Sequence, residues 1–346
     1  MYQEFMYEEV DHPEFLALLQ KDDAYLLSLG LEELNRRTAT ASTFAEEGLW
    51  SDELVAYIEQ YPYEEYIQFH WIAERHYANK LRELEDGDEL NSYYVIGYAR
   101  IIALMMRYHV EMGHDSNDFY FILTLLQAHL GERNPDDVSI FEVGTGAADL
   151  FLQLSEVGYC NLEGIEISPA AARVAQERLT GHLPADSIKL MSFEHFQQQY
   201  PDKRYDIIVN SNLIEHVPPV QMDAFLSGIY AHLKPGGYMV TITPHRLSGP
   251  HDVTRYFRGG GSEPEGFHLR EYTLQDLEAL LTEAGFSDFM TVRSLPQLNY
   301  FWDVPSKENF AYKRNMEPML REMSWKLRKP LLDGMYFKGL ICQKPN

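Results

Sequence analysis

Between Pro13 and Leu130 apolar residues recur every three or four positions, the spacing of helices with one buried stripe, and alternating β-rich runs are scarce. The pattern predicts helices over Pro13 to Ser28, Ser51 to Gln60, Tyr63 to Glu85, Asn91 to Met112 and Asp118 to Leu130, with Asp86-Gly87-Asp88 as a break. Glu132 to Asp137, carrying Asn134-Pro135, reads as a linker. From Val138 onward the pattern changes to short β-rich runs separated by helical stretches, as in a doubly wound parallel sheet. Strands are expected at residues 138–143, 162–167, 187–191, 205–211, 238–243, 288–293 and 336–343. The expected fold class is α/β. A helical domain over residues 1–135, acting as a lid or dimerisation surface, precedes a seven-stranded, mainly parallel sheet domain over residues 136–346. Within the latter, residues 296–330 form a helical insertion before the last strand, with the helix itself at Ser306 to Arg328.

The first β-run ends at Val143 and opens into Gly144-Thr145-Gly146-Ala147-Ala148. Glycines at a strand-to-helix turn let backbone approach a ligand where a Cβ would collide. Roughly twenty residues later Glu166 ends the second run, where a carboxylate can accept both hydroxyls of a ribose. A dinucleotide fingerprint needs Gly or Ala at position 149, and Asp149 stands there instead.

The order acid-x-Gly-x-Gly-x-small from Glu142 to Ala148 resembles motif I of the class I, Rossmann-like S-adenosylmethionine-dependent methyltransferases. Gly164-Ile165-Glu166-Ile167-Ser168-Pro169 is similar to the end of that family's second strand, and Tyr205 to Val217 to its fourth strand and following loop. Leu233-Lys234-Pro235-Gly236-Gly237 resembles the turn before its fifth strand. The resemblance covers residues 138–293 and implies S-adenosylmethionine as cofactor, released as S-adenosylhomocysteine. It assigns the methionine end of the cofactor to Glu142, Gly144, Gly146, Ala148, Asn210, Asn212 and Leu213, the ribose to Glu166, and the adenine side to Ile167, Ser168, Ser192 and Phe193. Two positions depart from the family's pattern. Ala148 replaces a third glycine, and Met191-Ser192-Phe193-Glu194 lacks the aspartate common after the third strand, leaving Glu194 or the Ser192 backbone as substitutes.

Charge narrows the partners. With 29 Lys+Arg against 53 Asp+Glu, a net charge of −24 repels phosphate backbones and anionic lipids, so neither nucleic acid nor membrane is an expected partner. Most of the acidic excess lies in the first 120 residues, as a solvated helical surface or as a field drawing in a cationic substrate. No run approaches the ~20 apolar residues of a membrane span, and residues 1–30 lack the pattern of a secretory leader. Cys160 and Cys342, far apart, suit a reduced, cytoplasmic setting and read as core thiols. The aromatics Tyr63, Tyr66, Phe69, Trp71, Tyr77, Tyr93, Tyr94, Tyr98 and Tyr108 read as helix packing, with one helix able to cover the sheet's mouth and hold a cation by its Tyr faces. A homodimer through these helices is also expected.

Methyl transfer from a sulfonium is an in-line displacement, which asks mainly for alignment and exclusion of water. A hydroxyl acceptor needs a base within reach, whereas an amine need only arrive deprotonated. His216, after the fourth strand, and His251, in the polar loop after the fifth, are the candidate catalytic bases; each also reads as a locally bonded residue. Glu215, His245, Arg246, Asp252, Arg255, Tyr256 and His268 are candidate substrate contacts, Arg255 as a fork for a carboxylate. His245, His251 and His268 lack regular ligand spacing and no Cys joins them, so no metal is expected. The expected activity is methylation of a small polar, cationic or amino-acid-like metabolite at N or O. Carbon methylation of a keto acid, methylation of a protein side chain or glycan, and a non-catalytic cofactor-binding protein are the alternatives.

Overall fold

The structure, a computed structural model, describes residues 6–40, 49–107, 116–184, 186–293 and 304–346. Its first helices are α1 (Pro13–Leu27), α2 (Leu31–Thr40), α3 (Asp52–Ile58), α4 (Tyr66–Glu83) and α5 (Asp88–Arg107). The periodicity gave no sign of α2, because among its described side chains Leu34 alone is buried in the helical core. The end of the helix expected to Met112, and Tyr108 with it, lies outside the described residues. Phe15, Leu19 and Leu26 of α1 meet Phe69, Ala73, Tyr77 and Leu81 of α4 and Ile96 and Leu104 of α5, each set at helical spacing. Arg100 is fully buried among them. It pairs with Asp23 at 2.5 Å and donates to the Tyr77 hydroxyl at 2.6 Å and the Leu49 carbonyl at 2.9 Å. A buried guanidinium stabilises only when acceptors surround it in this way.

Next come α6 (Ser116–Leu130), β1 (Ile140–Val143), α7 (Asp149–Glu156), β2 (Leu162–Glu166), α8 (Pro169–Leu179), β3 (Ile188–Leu190), α9 (Phe193–Gln199) and β4 (Tyr205–Ser211). The chain continues through α10 (Met222–His232), β5 (Leu233–Ile242), α11 (Arg255–Arg258), α12 (Leu274–Glu283), β6 (Ser287–Met290), α13 (Lys307–Glu322), α14 (Trp325–Gly334) and β7 (Gly339–Gln343). The seven strands form one sheet in the order β3-β2-β1-β4-β5-β7-β6, parallel except for β7, which runs against both neighbours. Period-two alternation divides the strands between two faces. Ile140, Ile207, Val209 and Val240 pack under Phe121 and Leu125 of α6 with α7 and α8; Phe141, Ile208 and Met239 pack under α9, α10 and α12. Phe141 stacks on Phe196 at 4.4 Å and Tyr205 at 4.7 Å. Thus α6 belongs to a layer of the sheet.

Several boundaries move. The segment from Leu233 to Gly237, expected as a turn, is drawn into β5, because Leu233 pairs Tyr205 while Tyr238 pairs Ile207, and the residues between form a bulge. β7 starts at Gly339, after Tyr336 turns left-handed (φ 55°). The helix expected at Ser306 to Arg328 becomes two, broken where Met323 is extended (ψ 149°); residues 296–303 of the expected insertion lie outside the described residues. Cys342 is buried, but Cys160 is exposed and shares a hydrogen with Asp136 at 3.1 Å, correcting its reading as a core thiol: the second strand begins only at Leu162. No described helix is long and apolar enough to cross a membrane.

Candidate active site

The sheet's order reverses at β1, with β2 on one side and β4 on the other, and a crevice opens at their carboxyl ends. Gly144 (φ 77°) and Gly146 (φ 52°) make the turn above β1, and Ala148 (φ 63°) takes the same left-handed region before α7. A Cβ on Gly144 would meet the Leu213 side chain at 3.4 Å and be strained besides. Glu166 turns its carboxylate into the bend, accepting from the Gly146 N–H and the Ser168 N–H, each at 2.8 Å. Burial raises its pKa, and the backbone hydrogen bonds partly offset that.

Three buried acceptors around this bend have no hydrogen-bond partner among the described residues: Glu142 Oε2, Thr145 Oγ1 and Asn210 Oδ1. Burial, then the charges of Glu166 and Asp149, push Glu142 well above the carboxylate range. Asn210 spends its amide hydrogens on the Val240 carbonyl at 3.3 Å and the Thr241 hydroxyl at 3.1 Å. Unmet buried acceptors cost stability, and a ligand rich in donors, such as an ammonium and sugar hydroxyls, would satisfy them.

Beside it, the turn Ile214–His216 after β4 carries Glu215, which is 0% exposed. Its Oε2 accepts from the Thr243 hydroxyl at 2.9 Å, and its Oε1 has no hydrogen-bond partner among the described residues. Burial lifts it to about 7 against the opposing charge of His268. His216 Nδ1 lies 2.9 Å from the Phe267 carbonyl, which can only accept, so Nδ1 carries the proton and Nε2 keeps its lone pair. Burial and then the nearby His268 charge hold His216 at about 3. His268 Nδ1 bonds Glu271 Oε1 at 2.8 Å; although burial works against it, that bond and the charges of Asp252, Glu271 and Glu215 raise it to about 9. Glu271, against its burial, is drawn to about 2 by His251 and His268.

The roof over this cluster comes from the helices. Tyr94 and Tyr98 of α5 lie 5.6 and 6.4 Å from the Phe267 ring, and Phe267 and Leu269 join the core of α1–α5. Burial raises both tyrosine hydroxyls. The Glu166 charge adds to each, and Glu215 adds to Tyr94 alone. Glu74 of α4 accepts from the Phe267 N–H at 3.1 Å and pairs with His70 at 2.7 Å. Asp252 accepts from the Gly266 N–H at 3.0 Å, and burial lifts it to about 6. Arg82 donates to the carbonyls of Pro264, Gly266 and His268.

Residues 114–289 match a family profile described as a methyltransferase domain. The chain belongs to the class I S-adenosylmethionine-dependent methyltransferases. S-adenosylmethionine is the methyl donor of this family. The methyltransferase is 24% identical over 163 residues to tRNA N(3)-methylcytidine methyltransferase Mettl2 of Drosophila melanogaster, covering 43% of this chain and 49% of that one. It is 27% identical over 181 residues to the ubiquinone biosynthesis O-methyltransferase of Bradyrhizobium sp. (strain ORS 278), covering 46% and 68%. A SAM-dependent methyltransferase structure from Archaeoglobus fulgidus aligns at 16% identity and TM-score 0.41, over 66% of this chain and 95% of that one. The chain spans about half the length of most of the curated relatives it matches.

In the methyltransferase, the expected cofactor residues do not all face the crevice alike. Glu142, Gly144, Gly146, Glu166 and Asn210 surround the bend, with Leu213 against Gly144 and Ile167 half-buried after β2. Asn212 is exposed with φ 48°. Ser168 and Ser192 cap α8 and α9. Phe193 packs on Phe225 at 5.6 Å and against the core over Phe141.

The expected substrate residues divide similarly. Glu215, His216 and His268 come together. His251 bonds Glu271 at 3.2 Å through Nδ1 and Ser248 at 3.2 Å through Nε2, so both its nitrogens staple the loop. His245 is buried on Glu317, which also receives the first N–H groups of α12. Arg246 pairs with Glu263, and the exposed Arg255 lies over the Tyr256 ring at 4.6 Å. Glu74, Arg82 and Glu271 shape the site without being foreseen as site residues. Arg82 and Glu271 gave no local signal, since their partners lie far along the chain or in a loop without periodicity.

Proposed function

We propose that this methyltransferase moves a methyl group onto an oxygen or nitrogen of a small polar acceptor lying between Tyr94 and Tyr98 above and Glu215, His216 and His268 below. The observation that carries this reading is Phe267, whose ring lies 5.6 Å from Tyr94 and 6.4 Å from Tyr98 while its carbonyl accepts from His216 at 2.9 Å. One residue thus ties the helical roof to the floor beside the glycine bend. In this reading Glu166 holds the donor's ribose, while the unpartnered Glu142 and Asn210 oxygens receive its ammonium end. The donor supplies an activated methyl on a sulfonium, and the protein's share is alignment and exclusion of water. His216, neutral over the ordinary pH range, orients the acceptor; His251 is a positioning residue acting through Glu271. The helices α1–α5 serve as the lid, while α6 packs on the sheet.

One relative carries an O-methyltransferase name and another a tRNA methyltransferase name. A net charge of −24 weighs against a polyanionic acceptor and favours a small molecule. Calorimetry with S-adenosylmethionine, followed by transfer of a labelled methyl to a panel of hydroxyl- and amine-bearing metabolites, tests the reading. His216→Ala should keep donor affinity and lose about 10²-fold in turnover. Donor binding with no transfer to any acceptor would favour a non-catalytic binder and sink the proposal.

A further inference from the structure

Glu215, His216 and His268 each offer a ligand atom within 4.8 Å of the other two. The rest of each side chain is already committed. His216 Nδ1 donates to the Phe267 carbonyl, His268 Nδ1 to Glu271, and Glu215 Oε2 accepts from Thr243. With both Nδ1 atoms so used, each Nε2, and the fully buried Glu215 Oε1, which has no hydrogen-bond partner among the described residues, remain for a common guest. The two imidazole planes stand at 81° with centroids 4.8 Å apart. Outer partners on the remote ring nitrogens fix tautomer and direction, the usual second layer of a metal site.

We propose that Glu215, His216 and His268 bind a divalent first-row transition ion, which takes a hydroxyl oxygen of the acceptor at an open position. Two imidazoles and one carboxylate select zinc, cobalt, manganese or iron(II) over magnesium, which prefers oxygen ligands throughout. Three protein ligands leave room for an acceptor oxygen. Bound there, the acceptor hydroxyl releases its proton to solvent at a lower pH than it would when free. Its oxygen then forms the O–CH3 bond as the S–CH3 bond breaks with its electron pair remaining on sulfur. One proton is released for each methyl moved. This deepens the reading above by selecting a hydroxyl acceptor, and it rests on that reading for the transfer step alone.

The test uses the full chain carrying Cys160→Ser, so that the exposed thiol does not compete, stripped with a chelator and titrated with Co2+ by visible absorption and with Zn2+ by calorimetry. The expected result is a saturable cobalt d–d spectrum at one equivalent, weakened at least about tenfold by Glu215→Gln and by His216→Ala. Circular dichroism and donor affinity report whether each variant is folded. Absence of a cobalt spectrum in folded protein overturns the site, as does a titration unchanged in both variants, or saturation by Mg2+ where Co2+ and Zn2+ fail. The first of these outcomes fits instead an internal ion pair between Glu215 and a doubly protonated His268, the second a metal bound elsewhere, and the third an oxygen-ligand cation site. Metal binding without methyl transfer would count against the function and leave the site standing.

Discussion

The two sides of the crevice are made differently. The side proposed for the donor is mostly backbone: a left-handed bend above β1 and one carboxylate, Glu166, returning from β2 to hold the Gly146 N–H. The side proposed for the acceptor is side chains from four distant places: Glu215 and His216 after β4, His268 and Glu271 in the loop after β5, Glu74 on α4, and Tyr94 and Tyr98 on α5. A backbone cradle suits the invariant part of the chemistry, because its shape follows from a few φ angles. A floor assembled from remote side chains can be rebuilt for a new acceptor without disturbing the cradle.

The comparison predicts separable failures, and the largest lies on the donor side. Gly144→Arg adds a strained Cβ against Leu213 and a long side chain over the bend, and should weaken S-adenosylmethionine binding at least about 100-fold by calorimetry. Unchanged affinity would break the assignment of the cradle. On the acceptor side, Gly266→Ala drives a methyl into the Glu74 and Asp252 carboxylates that staple the loop. It should raise the acceptor KM about tenfold while donor affinity stays within twofold, a contrast of about 1.4 kcal/mol.

Asp206 lies at the far end of β4 and serves neither side. It accepts from Arg133 at 2.6 Å, Lys234 at 2.8 Å and the Ser139 N–H at 2.9 Å. Burial opposes these bonds, yet together they hold the carboxyl well below its ordinary range. A folded-state pKa below the unfolded one gives stability that is complete above the unfolded value, about 4, and is lost as pH falls toward the folded one. Asp206→Asn should therefore cost about 2 kcal/mol at neutral pH by urea unfolding, and flatten the acid limb of the stability curve. Donor and acceptor affinities of the folded variant should be unchanged. Any selective loss on one side would blur the distinction. The smallest effect is expected from Tyr94→Phe, which keeps the ring on Phe267 and removes a buried hydroxyl that the charges of Glu166 and Glu215 act on. A change in acceptor KM of about threefold, with little change in donor affinity, would put that hydroxyl on the acceptor's side.

The same division governs what was legible in the residues. The order from Glu142 to Ala148, with Glu166 a strand later, announced the cradle because a tight bend and the end of the next parallel strand are neighbours by connectivity alone. The strands were legible in kind, since a strand buried on both faces needs an unbroken apolar run. Their edges were not: the bulge that draws Leu233 into β5 and the left-handed turn at Tyr336 depend on partners across the sheet. In the polar loop, His251, His245, Arg246 and Arg255 looked alike as candidates. Tertiary contacts separate them, binding His251 to Glu271, His245 to Glu317 and Arg246 to Glu263, while Arg255 stays at the surface. A search for regular spacing among histidines could not join His268 to Glu215 and His216, because the loop between them first anchors Phe267 in the helical core.

From its residues alone the chain declares an α/β sheet, its glycine bend and the carboxylate that faces it, because short-range connectivity and side-chain period suffice to place them. Which helix roofs the crevice, which histidines meet, and which acids remain unpaired are decided only when α4 and α5 close over the loop after β5. Those contacts join residues far apart along the chain, and burial there changes both their charges and their available partners.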